Sequence, residues 1–293
     1  MSKAHRPPLS RVTVVIVNYN AGHWLQRCVE SLRPRQSAKP ELTIIDNGSR
    51  DGSLDFASGR PEIAIDRVGS NLGFARAINR ACRGRGREYL LILNPDCLIS
   101  RVDLAELINE LDRHPEAALA SGRVLDQNGQ EQRGSRRRLP TPRRIVDELL
   151  RKSSNGIDLS QTHAPTGPIE VEAVSGACML VRRAAFDQLG GMDERYPLHF
   201  EDLDLFARLS SAGWKLRWTP AVSVVHAGGQ SSKSRPVAVL WAKHIGLWRY
   251  LVRHCPADQW PRWQRPAWAL MIALSLAVKT PVTWLAGVLG PRR

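Results

Sequence analysis

The sequence has no closely spaced cysteine pair of the kind found in zinc-binding motifs. Its five cysteines are odd in number and scattered over 293 residues. Neither a disulfide framework nor a cysteine-based zinc site is therefore predicted. The basic N-terminus also lacks an apolar stretch long enough for a signal peptide, which argues against export. Together these absences favour a reducing cytoplasm.

No apolar run near the C-terminus reaches the roughly 20 residues that a helix needs to span a bilayer. The run at 267–278 is followed by Lys279 and Pro281, and a second run at 282–289 is shorter still. Arginine and tryptophan residues flank both runs. We therefore expect a helical region at 233–293 that lies peripherally on the inner face of the cytoplasmic membrane. The alternative is a helix packed on the protein's own core.

Acidic residues are scarce, since 28 Asp and Glu accompany 42 Lys and Arg and give a formal net charge of +14. This charge favours nucleic acid, acidic lipid headgroups or a phosphate-bearing substrate as partner. The arginines are densest at 133–152, around two prolines, and we expect a solvated loop there. That stretch lacks interleaved aromatic residues, so nucleic acid is not the expected partner.

Strand and helix signals alternate along the chain in the manner of an α/β domain. Runs typical of buried strands lie at 12–17, 42–45, 63–68, 89–93, 171–174, 179–181, 214–218 and 222–225. Helical periodicity is found at 23–32, 52–58, 74–83, 102–111, 184–189 and 200–212. The order of these elements over the first hundred residues predicts a parallel sheet.

Polar residues follow the predicted strands at the edge where open α/β sheets bind ligands. Asp46 follows one strand, and its carboxylate suits the N–H of a nucleotide base, although an Asp-Asn-Gly turn is the simpler explanation. The turn containing Asp96 offers an oxygen ligand to Mg²⁺ or Mn²⁺, although such turns are common without a metal. His226 ends a later strand and suits the same metal, but a lone histidine there is equally well structural.

Two helix starts carry further candidates. The segment with Asn71 and Gly73 opens a helix, whose free N–H groups attract phosphate in some proteins and have no ligand in others. Glu201, Asp202 and Asp204 open another helix, where acids are favoured for electrostatic reasons alone. Three acids in four residues exceed that need, and we expect a general base for an acceptor hydroxyl there.

Six segments in order carry a specific resemblance over roughly residues 11–232. They are VTVVIVNYN (12–20), IIDNGSRDGS (44–53), SNLGFARAIN (70–79), LILNPD (91–96), SGACMLVRRAAFDQLGGMDE (175–194) and FEDLDLFARL (200–209). Together they resemble family 2 of the inverting glycosyltransferases, which have the GT-A fold, and particularly its rhamnosyltransferase-like branch.

The resemblance implies an α/β fold in which a Rossmann-like nucleotide-binding half merges with an acceptor-binding half around a mixed central sheet. The implied division is a tail at 1–11, a GT-A domain at 12–232 and a C-terminal helical, membrane-associating segment at 233–293. The nucleotide-sugar half would cover about 12–100 and the acceptor half about 101–232.

The resemblance also implies roles for individual residues. The expected nucleotide-sugar contacts are Asn18, Asp46, Asn71, Gly73, Asn94, Asp96 and Gly176. Asp96 and His226 would hold Mg²⁺ or Mn²⁺, and Asp202, with Glu201 beside it, would be the catalytic base. Many relatives have Asp-x-Asp where this chain has Asn94-Pro95-Asp96, a departure shared by the rhamnosyltransferase-like branch, and a metal contact by Asn94 stays open.

The implied reaction is a single displacement that inverts the anomeric centre. The expected donor is dTDP-L-rhamnose, with UDP- and GDP-sugars left open. The expected acceptor is a lipid-linked saccharide or a surface polysaccharide at the cytoplasmic membrane. A catalytically silent scaffold of the same fold is the rival hypothesis.

Overall fold

The computed structural model describes residues 8–32, 40–84, 86–150, 156–196, 198–228, 236–258 and 260–289. Its strands are β1 (Val12–Asn18), β2 (Glu41–Asp46), β3 (Ala64–Arg67), β4 (Tyr89–Leu93), β5 (Cys97–Ile99), β6 (Ala117–Leu125), β7 (Arg136–Arg137), β8 (Ile169–Val171), β9 (Ala173–Val174), β10 (Cys178–Arg182) and β11 (Lys215–His226). Its α-helices are α1 (His23–Ser31), α2 (Phe74–Cys82), α3 (Arg101–Arg113), α4 (Pro142–Leu149), α5 (Arg183–Gln188), α6 (Glu201–Ser211), α7 (Pro236–His254) and α8 (Arg265–Leu289).

The described strands form one mixed sheet in the order β3-β2-β1-β4-β10-β6-β11-β5, with β8 beside β11, and a small sheet of β7 and β9. β1 to β4 are parallel, whereas β10 runs antiparallel to β4 and β6. The predicted parallel half is therefore present, and the expected mixed central sheet is confirmed.

Alternate residues of β1 bury opposite faces of this sheet. Val14 and Ile16 pack in the cluster that contains α1 and α3, whereas Val15 and Val17 pack in the cluster that contains α2 and α6. A strand buried on both faces needs a continuous β-branched run, which is the pattern of its sequence. Each such side chain contributes about 1.5 to 3 kcal/mol by burial.

The predicted solvated loop at 133–152 is wrong over its described part. Arg136 is 2% exposed, lies in β7, and its guanidinium stacks 5.2 Å from the centre of the Trp218 ring. Its Nε also donates to Glu131 Oε1 at 3.1 Å. Ion pairing and stacking therefore offset the free-energy cost of removing the Arg136 charge from water. The prolines did not prevent a helix, because Pro142 occupies the first position of α4 behind the cap residue Thr141. Residues 151–155 lie outside the described part.

The expected interruption of the C-terminal apolar region is also wrong. α8 is one helix of 25 residues that continues through Lys279 and Pro281. In the described part of the chain, one segment, Arg262–Ala286, is long and apolar enough to cross a membrane by length and composition. None of its apolar window is buried, so α8 is not enclosed by the core, although Trp268 near its start packs against the core.

α8 lies antiparallel along α7 through two polar contacts. Trp241 Nε1 donates to Thr280 Oγ1 at 3.1 Å, and His244 Nε2 lies 3.0 Å from Ser275 Oγ. α7 in turn packs on α6, and its buried residues, Gly246, Tyr250 and Leu251, lie in its second half. Large apolar side chains of α8 remain exposed, among them Leu270, Leu274, Val278, Val282 and Trp284.

Candidate active site

The carboxyl ends of β1 and β2 place Asn18 beside Asp46. The two residues are partners in the parallel register, and Asn18 Nδ2 lies 3.0 Å from Asp46 Oδ1. The same amide lies 3.0 and 2.8 Å from the hydroxyls of Ser49 and Ser53. Asn18 is fully buried, so its side chain lies behind Asp46 and holds that carboxylate. The direct nucleotide contact expected of Asn18 stays a prediction.

The loop before α2 lies against the end of β2. Asn47 Nδ2 donates to the carbonyl of Gly73 at 3.3 Å, and Asn47 Oδ1 accepts from the N–H of Leu72 at 3.4 Å. Asn71 Oδ1 accepts from the N–H of Gly73 at 2.8 Å, in a turn where Gly73 has φ +84°. Asp46, Asn71 and Gly73 therefore lie in adjoining segments at the start of α2, where backbone N–H groups favour phosphate.

The pairing of β5 with β11 brings the two predicted metal ligands together. His226 is the register partner of Cys97, and His226 Nε2 lies 3.3 Å from Asp96 Oδ1. The ligand atoms of Asp96, Cys97 and His226 all lie within 4.8 Å of one another. The Cys97 thiol, however, donates to the carbonyl of Ala177 at 3.4 Å, and burial raises its pKa well above the usual value. The geometry brings Asp96 and His226 together as the sequence predicts, and Cys97 lies beside them.

Gln132 fixes the orientation of the His226 ring. Gln132 Nε2 donates to the His226 carbonyl at 2.7 Å, so its Oε1 faces His226 Nδ1 at 2.8 Å. Because Oε1 only accepts, Nδ1 carries the proton in the neutral ring. The lone pair then lies on Nε2, which points to Asp96, as a metal-binding histidine requires.

The turn that carries Asp96 is joined to the segment that carries Gly176. The N–H of Asn94 donates to the carbonyl of Ala177 at 2.9 Å, and the Asn94 carbonyl accepts from the N–H of Cys97 at 3.1 Å. The Asn94 side chain is partly buried. These backbone bonds connect the turn that carries Asp96 to the segment that carries Gly176.

Gly176 lies directly against Asp202. A Cβ at Gly176 would lie 2.9 Å from Asp202 Oδ2, so no larger residue fits without moving the carboxylate. Asp202 Oδ2 forms an ion pair with Arg137 Nη2, while Oδ1 accepts from the N–H of Leu203 at 2.8 Å. Arg137 Nε donates to the carbonyl of Val174 at 2.9 Å, which fixes the base of the guanidinium.

Glu201 and Asp202 have different environments although they are neighbours. Burial, and secondarily the negative charge of Asp202, raises the pKa of Glu201 to about 8, so its carboxyl group is largely protonated at neutral pH. Its Oε2 is buried and has no hydrogen-bond partner. The side chain of Asp202 is 17% exposed and ion-paired. Asp202 is thus the better placed of the two to accept a proton from a substrate.

Asp204, the third acid of this helix, has a structural role. It is fully buried, accepts from Arg208 Nε at 2.7 Å and lies 2.8 Å from His254 Nε2 of α7. It therefore joins α6 to α7.

Three residues of the site were not predicted from the sequence. Asn47 directly follows Asp46 in a segment that the sequence analysis selected, so this residue could have been predicted. Gln132 lies at the edge of the stretch expected to be a loop, and Arg137 lies within it. Gln132 contacts His226, which is 94 positions away in the chain, and Arg137 contacts Asp202, which is 65 positions away. A local sequence pattern does not indicate contacts between residues so far apart in the chain.

Comparison with known proteins identifies relatives over almost the whole chain. The profile of the family described as "Glycosyl transferase family 2" matches residues 13–190. The N-acetylglucosaminyl-diphospho-decaprenol L-rhamnosyltransferase of Mycobacterium tuberculosis is 29% identical over 282 residues, which cover 90% of each chain. Rhamnosyltransferase WbbL of Escherichia coli is 26% identical over 257 residues, covering 83% of this chain and 93% of that protein.

A solved structure shares the fold. The mannosyltransferase PcManGT of Pyrobaculum calidifontis, solved in complex with GDP-Man and Mn²⁺, matches with a TM-score of 0.56 and 20% identity. The match covers 98% of this chain and 77% of that one. The mixed sheet and its surrounding helices are thus of the GT-A type.

Proposed function

The chain belongs to glycosyl transferase family 2, in its rhamnosyltransferase-like branch, and on that premise we propose that it transfers L-rhamnose from dTDP-L-rhamnose to a lipid-linked saccharide. Two relatives are named rhamnosyltransferases, and one name specifies a sugar on a lipid diphosphate. The proposal further holds that the reaction inverts the anomeric centre and depends on Mg²⁺ or Mn²⁺.

The observation that carries the proposal is the order of polar groups along one edge of the sheet. Asp46 lies at the nucleotide end, Asp96 and His226 lie in the middle, and Asp202 lies at the acceptor end. Hydrogen bonds between adjoining loops connect the middle to the acceptor end. A nucleotide sugar and its acceptor need, in this order, a group that binds the nucleotide, ligands for a metal on the diphosphate, and a base for the acceptor hydroxyl.

The residues at the middle position fit a divalent cation. Asp96 supplies a carboxylate oxygen and His226 a nitrogen lone pair, and Gln132 holds the ring in the required tautomer. A bound Mg²⁺ or Mn²⁺ would stabilise negative charge on the leaving diphosphate. Asp46 and the start of α2 bind the nucleotide, and Asn18 keeps Asp46 in place.

Asp202 acts as the general base of the proposed reaction. Its carboxylate accepts the proton of the acceptor hydroxyl as that oxygen attacks the anomeric carbon. A side chain at position 176 would crowd this carboxylate, and glycine avoids that contact. Glu201, protonated at neutral pH, does not compete for the proton.

The protein is proposed to work peripherally on the inner face of the cytoplasmic membrane. The exposed apolar face of α8 supports attachment, and the polar contacts between α7 and α8 favour a helix that lies along the surface.

The experiment combines dTDP-L-rhamnose, a short-chain lipid-linked acceptor and Mn²⁺, and assigns the anomeric configuration of the product by NMR. Asp202→Asn should lower turnover at least about a hundredfold, because it removes the base while keeping the shape. Asp96→Ala should abolish Mn²⁺-dependent binding of dTDP in a thermal-shift assay. A retained configuration, or equal dTDP binding by parent and Asp96→Ala in Mn²⁺, would refute the mechanism.

A further inference from the structure

A third potential metal ligand lies beside Asp96 and His226. The Cys97 sulfur, an Asp96 carboxylate oxygen and a His226 ring nitrogen all lie within 4.8 Å of one another. The His226 side chain is 17% exposed, so the group borders solvent although Cys97 itself is fully buried. The proposed function uses the oxygen and the nitrogen and gives the sulfur no role.

Main-chain hydrogen bonds hold these three residues together. Cys97 and His226 are register partners of the antiparallel strands β5 and β11. Directly opposed residues of such a pair project to the same face, with Cβ atoms about 4.5 to 5.5 Å apart. Asp96 is fixed at the same place, because its carbonyl accepts from the N–H of Ala227 at 3.0 Å. The grouping is therefore a consequence of the strand pairing.

The spacing suits ligands of one small cation. In a tetrahedral zinc site, bonds of about 2.0 to 2.1 Å place a nitrogen and an oxygen ligand about 3.3 to 3.5 Å apart. His226 Nε2 and Asp96 Oδ1 lie 3.3 Å apart. A sulfur ligand, with its bond of about 2.3 Å, lies about 3.6 Å from the other two, so a shift of about 1 Å by Cys97 Sγ completes the set.

The sulfur distinguishes two kinds of cation. Mg²⁺ and Mn²⁺ prefer oxygen ligands and gain little from a thiol, which in this structure donates to the Ala177 carbonyl. Zn²⁺ binds sulfur as thiolate and displaces the thiol proton. The zinc–sulfur bond forms as the S–H bond breaks, the proton passes to solvent, and the hydrogen bond to Ala177 is lost.

We propose that Asp96, Cys97 and His226 form a three-ligand site for a sulfur-binding divalent cation such as Zn²⁺, which competes there with Mg²⁺ or Mn²⁺. This inference rests on the metal site of the proposed function and adds a cation that regulates it. Three protein ligands leave one tetrahedral position open, so Zn²⁺ binds without nucleotide. Mg²⁺ or Mn²⁺, held by two protein ligands, depends on the diphosphate for further oxygens.

Co²⁺ tests sulfur ligation directly. Added to the reduced protein without nucleotide, it should give a sulfur-to-cobalt charge-transfer band in the near ultraviolet. Cys97→Ser removes the sulfur but keeps a donor for the Ala177 carbonyl, so this band should be lost. Cys28→Ser is the matched control and should keep the band, because the Cys28 thiol is also fully buried and also donates to a main-chain carbonyl, that of Asn94 at 3.6 Å.

Calorimetry then compares the two kinds of cation. The Kd for Zn²⁺ without nucleotide should rise about tenfold or more in Cys97→Ser, because a zinc ligand is lost. The Kd for Mn²⁺ in the presence of dTDP should stay within about twofold of the parent value, which also shows that the variant folds. Zn²⁺ titrated into the parent with Mn²⁺ and dTDP should raise the electron paramagnetic resonance signal of free Mn²⁺.

Four outcomes would overturn this site. They are a parent that binds Co²⁺ without the charge-transfer band, a band that persists in Cys97→Ser, equal Zn²⁺ affinities in the parent and Cys97→Ser, and Zn²⁺ binding that releases no Mn²⁺. The first and last need only the parent, so they decide even where a variant does not fold. Absence of rhamnosyl transfer beside an intact cobalt–sulfur band would refute the proposed function alone, whereas Mn²⁺-dependent transfer without the band would refute this inference alone.

Discussion

Gly246 of α7 lies against Phe200, the residue before α6. A Cβ at Gly246 would lie 3.0 Å from Phe200 Cδ2 and 3.3 Å from the carbonyl oxygen of His199. His199 and Phe200 have φ values of 64° and 69°, a left-handed conformation that costs about 1 to 3 kcal/mol per residue outside glycine. Packing of α7 therefore holds a strained segment that aims Glu201 and Asp202.

The first prediction follows from that contact. Gly246→Leu should lower kcat about a hundredfold with dTDP binding retained, because a displacement of about 1 Å at the base is costly and the nucleotide is held at the other end. Gly246→Ala should cost less. The control is Gly167→Leu, since a Cβ at Gly167 meets nothing within 4 Å. An unchanged kcat in Gly246→Leu would show that the packing of α7 does not position the proposed base.

The strand-end positions of the site were predictable because they depend on local pattern. Val12–Asn18 and Glu41–Asp46 are apolar runs that end in polar residues, and parallel strands bring such ends to one edge. The residues Asp46, Asp96 and His226 were selected on that basis.

Other features depend on tertiary contacts and leave no local signal. β6 is a central strand with the sequence AALASGRVL, whose alanines and glycine have low strand propensity. Gly122 is needed there because a Cβ would lie 2.5 Å from Val222 Cγ1 of β11. The start of α6 was likewise expected at Phe200, which instead adopts the left-handed conformation before the helix.

The second prediction concerns Gln132 and the metal. Gln132→Leu removes the acceptor for His226 Nδ1–H, so the ring loses its fixed tautomer and orientation. The affinity for Mn²⁺ in the presence of dTDP, measured by electron paramagnetic resonance, should fall about 10- to 100-fold. Gln130→Leu, which changes an exposed glutamine two positions away, is the matched control. Equal Mn²⁺ affinities would show that Gln132 does not position the ring.

The third prediction concerns membrane attachment. Leu270, Leu274 and Val278 lie four residues apart on α8 and are 60%, 57% and 67% exposed. Substituting all three by Glu should release the protein from vesicles containing anionic lipid, whereas the parent should stay bound in high salt because apolar burial is not screened. Val102→Glu, at an 80% exposed site on α3, should bind like the parent. Vesicle binding by the triple variant would refute attachment through this face.

The fourth prediction uses the raised pKa of Glu201. Burial, reinforced by the charge of Asp202, gives this carboxyl group a pKa of about 8 in the folded protein, against 4.5 for an ordinary glutamate. Between these values the folded state binds a proton that the unfolded state has lost. The free energy of unfolding therefore falls as pH rises through this window, by up to about 1.4 kcal/mol per pH unit from this group alone.

Glu201→Gln keeps the size of the side chain but stays neutral at every pH, so it does not incur this loss. Its stability relative to the parent should increase steadily between pH 4.5 and 8 and level off above that range. The measurement is urea unfolding of both proteins at several pH values, with Glu194→Gln as the control, because Glu194 is an exposed glutamate. A stability difference that is flat across the window would mean that Glu201 ionises as an ordinary carboxylate. Glu201 would then be ionised at neutral pH and would compete with Asp202 as the base. Its protonation at neutral pH otherwise excludes it from that role.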